Sequence, residues 1–286
     1  VFQSAAQARL PVCLHAGAPP MERIAQERLQ RDGRCRMEDL DGLRRIPAAS
    51  LGTAKCIHLA ELTGARLHIA HISLSGPECL ELVRRAKQRG VSVTAECPPV
   101  ALTLKDLKRF GPYGLPFSLP KKEILLYWKA LEDGTIDAVG TDHAPHTKKE
   151  KLRGSDNVWK APTGYPALEV SLAIGLEQVR KGTISLNRLV ESMSSTPARI
   201  AGLYPRKGSI RVGSDADLTL VDLESAWTVK AGKMESKAGW SPFEGKKFKG
   251  RAVGVVLRGM EAMRDGEILA RAGDGKYLGL KTQGMR

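Results

Sequence analysis

The chain contains no run of about 18 apolar residues and no charged-then-apolar leader pattern, so nothing in it reads as a membrane span or a secretory signal. Its five cysteines (Cys13, Cys35, Cys56, Cys79, Cys97) are odd in number, scattered and without a CxxC pair. That excludes a disulfide framework or a thiolate zinc site and suits reduced thiols in a cytoplasmic protein. Aromatic residues make up only 5% of the chain, too few for a platform that stacks single-stranded bases. There is no internal repeat and no low-complexity tract. A formal charge of +14 is spread along the sequence, with local clusters only at 148–153 and 246–251. It reads as a solvated basic surface that helps attract an anionic substrate, and nucleic-acid binding would rest on charge alone.

What is present is enough for a sizeable core: 286 residues, 42% of them hydrophobic. Strand-like and helix-like segments alternate through the first two-thirds. Strands are expected at 10–14, 67–72, 91–95 and 136–140, and helices at 20–32, 50–63, 76–89 and 121–133. Ser50 reads as an N-cap, while Gly64 and Gly90 read as helix stops. Two more helices are expected at 167–180 and 184–193, followed by a cap and helix start at Ser195-Thr196-Pro197. Repeated β–α units predict a parallel sheet with helices outside it, an α/β fold. From about Lys207 the pattern turns to period two at 208–213, 216–222, 252–257 and 261–268, the last with a turn at Asp265-Gly266. This is a segment of hairpins. Residues 228–250 are polar and Gly-rich and read as a long connection.

The stretch Val139-Gly140-Thr141-Asp142-His143-Ala144-Pro145-His146-Thr147 follows the expected strand at 136–140. An Asp and two His at the C-terminal end of a parallel strand stand where barrel enzymes hold their chemistry. By itself the Thr-Asp-His triplet could equally be an N-cap with two surface histidines. His15 closes the run Leu10-Pro11-Val12-Cys13-Leu14, where a lone histidine is more often structural than a ligand. His71 lies two residues beyond Ile69, so alternation places it on the face opposite His68. His58 falls within an expected helix and reads as a surface or packing residue.

The whole string from Val139 to Thr147 resembles the signature of dihydroorotases, within the wider cyclic amidohydrolases (hydantoinases, dihydropyrimidinases, allantoinases). His15-Ala16 resembles the strand end that supplies a metal-bound histidine in that family, and His71 resembles the second histidine of its "lHi-HiS" pattern. Residues 161–169 resemble its "aPfGi-GlE" stretch, and 207–223 resemble the part that leaves the barrel for a small β-sandwich. The resemblance implies the second half of a (β/α)8 TIM-type barrel (roughly strands 5–8) over residues 1–205, and a C-terminal β-rich, sandwich-type segment over 206–286. It implies a hydrolase acting on cyclic amide C–N bonds, most like the interconversion of N-carbamoyl-L-aspartate and dihydroorotate in pyrimidine biosynthesis. The alternatives are a hydantoinase-, dihydropyrimidinase- or allantoinase-type hydrolase, or a non-catalytic dihydroorotase-like subunit. The ligands implied for one or two zinc or other divalent ions are His15, His71 and Asp142. Asp142 would also be the catalytic proton shuttle, and His146, Thr163 and Gly164 would contact substrate.

The sequence departs from the family pattern in four places. Gly17 stands where the strand-end motif carries an acid, and no His-x-His pair occurs. No lysine precedes His15. Pro116 and Pro120 occupy the positions of an Asn and an Arg that hold dihydroorotate. These departures lead to the expectation of an N-terminally truncated chain, impaired as it stands. Its missing strands would come from a homo-oligomer or from a partner carrying the other half of the barrel.

Overall fold

The computed structural model describes residues 1–40, 43, 47–103, 111–114 and 119–278. Pro116 lies outside the described residues. Four strands, β1 (Pro11–Leu14), β2 (Arg66–Ile69), β3 (Val93–Cys97) and β4 (Ala138–Val139), form a sheet in sequence order. All neighbours are parallel, with Val12 opposite Leu67 and Leu67 opposite Val93. Short helix α1 (Phe2–Gln7) precedes β1. Helices α2 (Pro19–Arg31) and α3 (Ala48–Thr63) connect β1 to β2, α4 (Glu78–Gln88) connects β2 to β3, and α5 (Lys121–Glu132) connects β3 to β4.

The sheet is two-faced. Val12, Leu67, Ile69, Val93, Ala95 and Cys97 are buried, and all but Val12 belong to one core cluster with the helices. Cys13, Thr94 and Glu96 alternate with them, and Cys13, His68 and Thr94 form one row across three strands. Helix α4 supplies Cys79, Leu80, Val83 and Ala86 at helical spacing as its buried stripe. Helix α3 ends at Gly64 in the left-handed region (φ 68°), as the sequence indicates. Its start differs: the helix begins at Ala48, and Ser50 lies within the first turn, donating to the Pro47 carbonyl at 3.1 Å.

Two expected strands are shorter than their apolar runs. β2 stops at Ile69 because His71 turns left-handed, opening a 3₁₀ turn at Ile72–Leu74. β4 is two residues long; before it, the Asp137 N–H donates to the Ala95 carbonyl at 2.8 Å, while the Asp137 side chain takes the reciprocal bond. Its carboxylate accepts the Ala95 N–H at 2.8 Å and is held by Lys87 at 2.7 Å.

After β4 come α6 (Lys148–Leu152), α7 (Leu168–Arg180), α8 (Leu186–Val190) and α9 (Thr196–Ile200). The helix expected at 184–193 is interrupted: a π-helical turn at Glu191–Ser195 separates α8 from α9. Residues 208–213 form turns instead of a strand. The second sheet is antiparallel in the order β5 (Leu218–Thr228), β6 (Lys247–Leu257), β7 (Met260–Arg264), β8 (Glu267–Ile268). Asp265-Gly266 turns β7 into β8 with φ values of 49° and 92°. Arg258-Gly259 makes the same two-residue turn between β6 and β7 at 49° and 83°. Positive φ at both central residues matches the right-handed strand twist.

The 228–250 stretch is more than a connection. Val229, Trp240, Phe243 and Phe248 are buried and belong to the main core cluster. Gly250 lets β6 lie against α7, since a Cβ there would stand 2.9 Å from the Leu176 side chain.

Gly52 in α3 approaches the chain just after β1, where an added Cβ would lie 2.4 Å from the Gly17 carbonyl oxygen. Helix propensity alone would make Gly52→Ala stabilising by about 1 kcal/mol. Backbone contact outweighs it, so we expect Gly52→Ala to cost about 1–3 kcal/mol in denaturant unfolding. The control Gly232→Ala, which meets nothing within 4 Å, should be near neutral.

Candidate active site

Parallel strands in sequence order align their C-terminal ends along one edge, and the chemistry-bearing residues lie there. His15 follows β1, His71 follows β2 by two residues, and Asp142 follows β4 by three. The pairing of β1 and β2 continues one step beyond the strands, with the Ala70 N–H donating to the Leu14 carbonyl at 3.0 Å. His71 (φ 37°) and Asp142 (φ 48°) both adopt left-handed backbone. This costs a non-glycine residue roughly 1–2 kcal/mol and redirects its side chain relative to the strand.

The two imidazoles meet. His15 Nδ1 and His71 Nε2 are 2.9 Å apart, with ring centroids 4.5 Å apart and planes inclined at 63°. Burial holds the His71 pKa below its ordinary value, and the neighbouring His15 adds to this. The negative charges of Asp142 and Glu96 oppose it. The result favours a neutral ring, the form in which a histidine nitrogen binds metal. His71 Nδ1 is buried and has no hydrogen-bond partner among the described residues. Two ligand nitrogens of one tetrahedral zinc stand about 3.3 Å apart, close to the observed spacing. The histidine pair therefore fits two positions around a cation. Asp142 lies within electrostatic reach of His71 and Tyr165. Among the described residues, however, no group of three His, Cys, Asp or Glu side chains is assembled to hold a metal ion.

Gly17 stands where an acid was expected, and the adjoining space is filled. A Cβ on Gly17 would lie 2.7 Å from Glu22 Oε1, and that carboxylate accepts the Ala18 N–H at 3.2 Å. On the sheet's polar face, His68 Nδ1 is 2.8 Å from Thr94 Oγ1, and His68 Nε2 is 3.3 Å from Glu96 Oε2. His68 thus joins a side-chain row below the strand ends, away from the His15–His71 pair. The Glu96 carboxylate also lies 2.2–2.4 Å from where a Gly140 Cβ would be, so a larger residue two before Asp142 would displace that carboxylate. His58 is exposed on α3, where the sequence places it.

The loop after β4 is tied to the segment before α7. His143 forms a parallel bridge with Tyr165, and the Ala144 N–H donates to the Tyr165 carbonyl at 3.3 Å. His143 Nδ1 accepts the N–H groups of Ala167 and Leu168 at 3.0 and 3.1 Å, capping the start of α7. Gly164 (φ 107°) is pressed against Ala144, whose carbonyl oxygen would lie 2.4 Å from a Cβ there. Thr163 is exposed beside it, and half-buried His146 offers its carbonyl to Trp240 Nε1 at 2.7 Å.

Lys151 is the residue that sequence reasoning missed. It sits in the basic cluster 148–153, which reads as solvated surface, yet its relative exposure is 0%. Its Nζ donates to the carbonyls of Pro162 at 2.8 Å and Gly164 at 3.0 Å, and lies 5.9 Å from the centre of the Trp240 ring. Helix α6 is fixed by a capping box in which Thr147 and Glu150 satisfy each other's backbone N–H groups. That capping box is visible in the sequence, but the inward turn of Lys151 depends on the 161–164 segment folding over it.

A model of the amidohydrolase family matches residues 1–266, and the chain belongs to that family, whose members are generally metal-dependent. Its relatives include cyclic amidohydrolases of two kinds. It is 34% identical over 284 residues to the L-hydantoinase of Paenarthrobacter aurescens, covering 97% of this chain and 61% of that protein. It is 43% identical over 224 residues to the dihydroorotase of Citrifermentans bemidjiense, covering 76% of this chain and 51% of that protein. Among solved structures, the L-hydantoinase (dihydropyrimidinase) from Arthrobacter aurescens superimposes with a TM-score of 0.91 at 33% identity. That match covers 96% of this chain and 62% of the other. The chain thus spans between 51% and 62% of the length of these relatives.

Burial pulls the Lys151 ammonium down to about 8 from an ordinary 10.5. Between those two pH values the unfolded chain binds the proton more tightly than the folded one, so this residue's contribution to stability rises with pH. Unfolding free energies measured from pH 8 to 10.5 should rise in the wild type relative to Lys151→Met. Parallel curves would show that the amine titrates as it does in water.

Proposed function

We propose that this chain carries the C-terminal part of a metal-dependent cyclic amidohydrolase, acting on a ring C–N bond as in dihydroorotate. The observation that carries this is the pair of imidazole nitrogens 2.9 Å apart at adjacent parallel strand ends, with Asp142 in electrostatic reach. His15, His71 and Asp142 would hold a divalent ion, with zinc suiting this imidazole and carboxylate set. When bound, such an ion lowers the pKa of water and polarises the ring carbonyl. The Asp142 carboxylate would take the proton from the attacking water and return it to the departing ring nitrogen. His146 and the backbone of Thr163 and Gly164 would contact the ring.

In this proposal residues 1–205 form the second half of a (β/α)8 barrel and residues 206–286 a sandwich-type segment. Two features of the surface support a need for further polypeptide, from a second copy or a partner. On the sheet face opposite the helical core, Cys13 is exposed and Thr94 and Glu96 are only half-buried. β5 is an eleven-residue edge strand with Leu220, Val221 and Leu223 exposed, an edge that natural sheets cover or pair. No helix among the described residues is long and apolar enough to cross a membrane.

A hydantoinase-type substrate is the second proposal, favoured by the L-hydantoinase match over 97% of the chain against 76% for the dihydroorotase. Turnover of dihydroorotate, hydantoin and allantoin by the zinc-loaded protein separates the two. On the favoured proposal dihydroorotate is preferred, and Asp142→Asn lowers kcat by about 10²–10⁴-fold, the usual contribution of a positioned acid–base group. His71→Ala should lose the bound metal, as read by elemental analysis. Metal content unaffected by His71→Ala and Asp142→Ala would favour a non-catalytic subunit.

A further inference from the structure

Lys151 carries more than a packing role. A buried cation is expensive unless hydrogen-bonded, and a methionine would fill the same volume without that cost. No carboxylate hydrogen-bonds to Lys151 among the described residues; its acceptors are two backbone carbonyls two positions apart, Pro162 and Gly164. Within one trans peptide the C=O and N–H point in opposite directions. Drawing the Pro162 oxygen inward therefore turns the Thr163 N–H outward, to the side where Thr163 is exposed. The same lysine lies beneath the Trp240 ring, whose Nε1–H holds the carbonyl of His146 at 2.7 Å. Lys151 and Trp240 thus hold Gly164 and His146 directly, and Thr163 through the Pro162 carbonyl of its own peptide.

We propose that Lys151 is a positioning residue, an internal clamp that fixes the 162–164 turn so that its outward backbone groups meet the ring amide. The clamp is a statement about the fold of the turn; its use for a cyclic amide rests on the function proposed above. Lys151 touches neither the reacting atoms nor the histidine pair, and it acts through the backbone that it holds.

Amide hydrogen exchange of the zinc-loaded 286-residue chain tests the clamp without requiring turnover. In Lys151→Met, exchange of peptides covering 161–165 should accelerate by about tenfold or more, as expected for loss of charge-assisted hydrogen bonds. Peptides from β3 and α4 should be unchanged. Calorimetric titration with dihydroorotate and with hydantoin should show about a tenfold weaker Kd in the variant, and Lys151→Arg, which keeps the donors, should recover part of it. Gly164→Ala displaces the same turn from its other face and should weaken binding alike, which keeps the test open if Lys151→Met does not fold. Unaltered exchange at 161–165 would overturn the clamp. Faster exchange with an unaltered Kd would overturn its positioning role. A wild type that binds neither ring compound would overturn the proposed function, leaving the clamp to be judged on exchange alone.

Discussion

The structure depends on the parallel register that brings residues 56 positions apart, His15 and His71, to the same edge of one sheet. Antiparallel strands would send alternate ends to opposite edges; four parallel strands in sequence order send all their C-termini to one. Helices α3, α4 and α5 make this arrangement possible by covering one face with apolar side chains. Ile69 and Ile72, on either side of the left-handed turn at His71, are both fully buried. Their burial contributes roughly 1.5–3 kcal/mol each, enough to hold a strained backbone costing about 1–2 kcal/mol. Strain at His71 and Asp142 is thus a local cost sustained by the core behind it.

The opposite face of the sheet works by different rules. Cys13, His68, Thr94 and Glu96 would be poor packing material, but each of the last three has a polar partner in the row. Glu96 does two things at once: it faces His68, and it occupies the space that a side chain at position 140 would need. Its negative charge also opposes the burial effect on His71. The polar row and the strand-end pair therefore share an electrostatic environment, although no hydrogen bond joins them among the described residues.

Much of this was legible in the sequence because periodicity and turn chemistry are local. The β–α alternation, the stops at Gly64 and Gly90, the Asp265-Gly266 turn and the strand-end string around Asp142 all appear where their residues indicate. What failed was what depends on distant partners. The run through Ile72 reads as one strand, but His71 leaves it to meet His15 from another β–α unit. The apolar start at Ile136 reads as strand, but the Ala95 N–H is taken by the Asp137 side chain and only one backbone bond joins that pair. The Gly-rich stretch 228–250 reads as a long connection because its few large side chains are scattered, yet Trp240 and Phe243 are buried. Lys151 was illegible for the same reason, since a lysine among lysines gives no local sign of turning inward.

The Asp-His pair at 142–143 shows how one short string divides structural from chemical work. His143 is committed by geometry: its Nδ1 accepts two N–H groups at the start of α7, a place where helices leave donors unsatisfied. A side chain that caps a helix in this way cannot also offer that nitrogen to a cation or a substrate. Asp142 caps no helix among the described residues, and its left-handed backbone turns it away from the strand direction that His143 continues toward Tyr165. Anchoring one residue to the helix that follows therefore fixes where its neighbour's carboxylate can point. The cap fixes the loop from above and Lys151 fixes its facing turn from below. In the proposed function, Asp142 is the acid of this loop that would act beside the histidine pair.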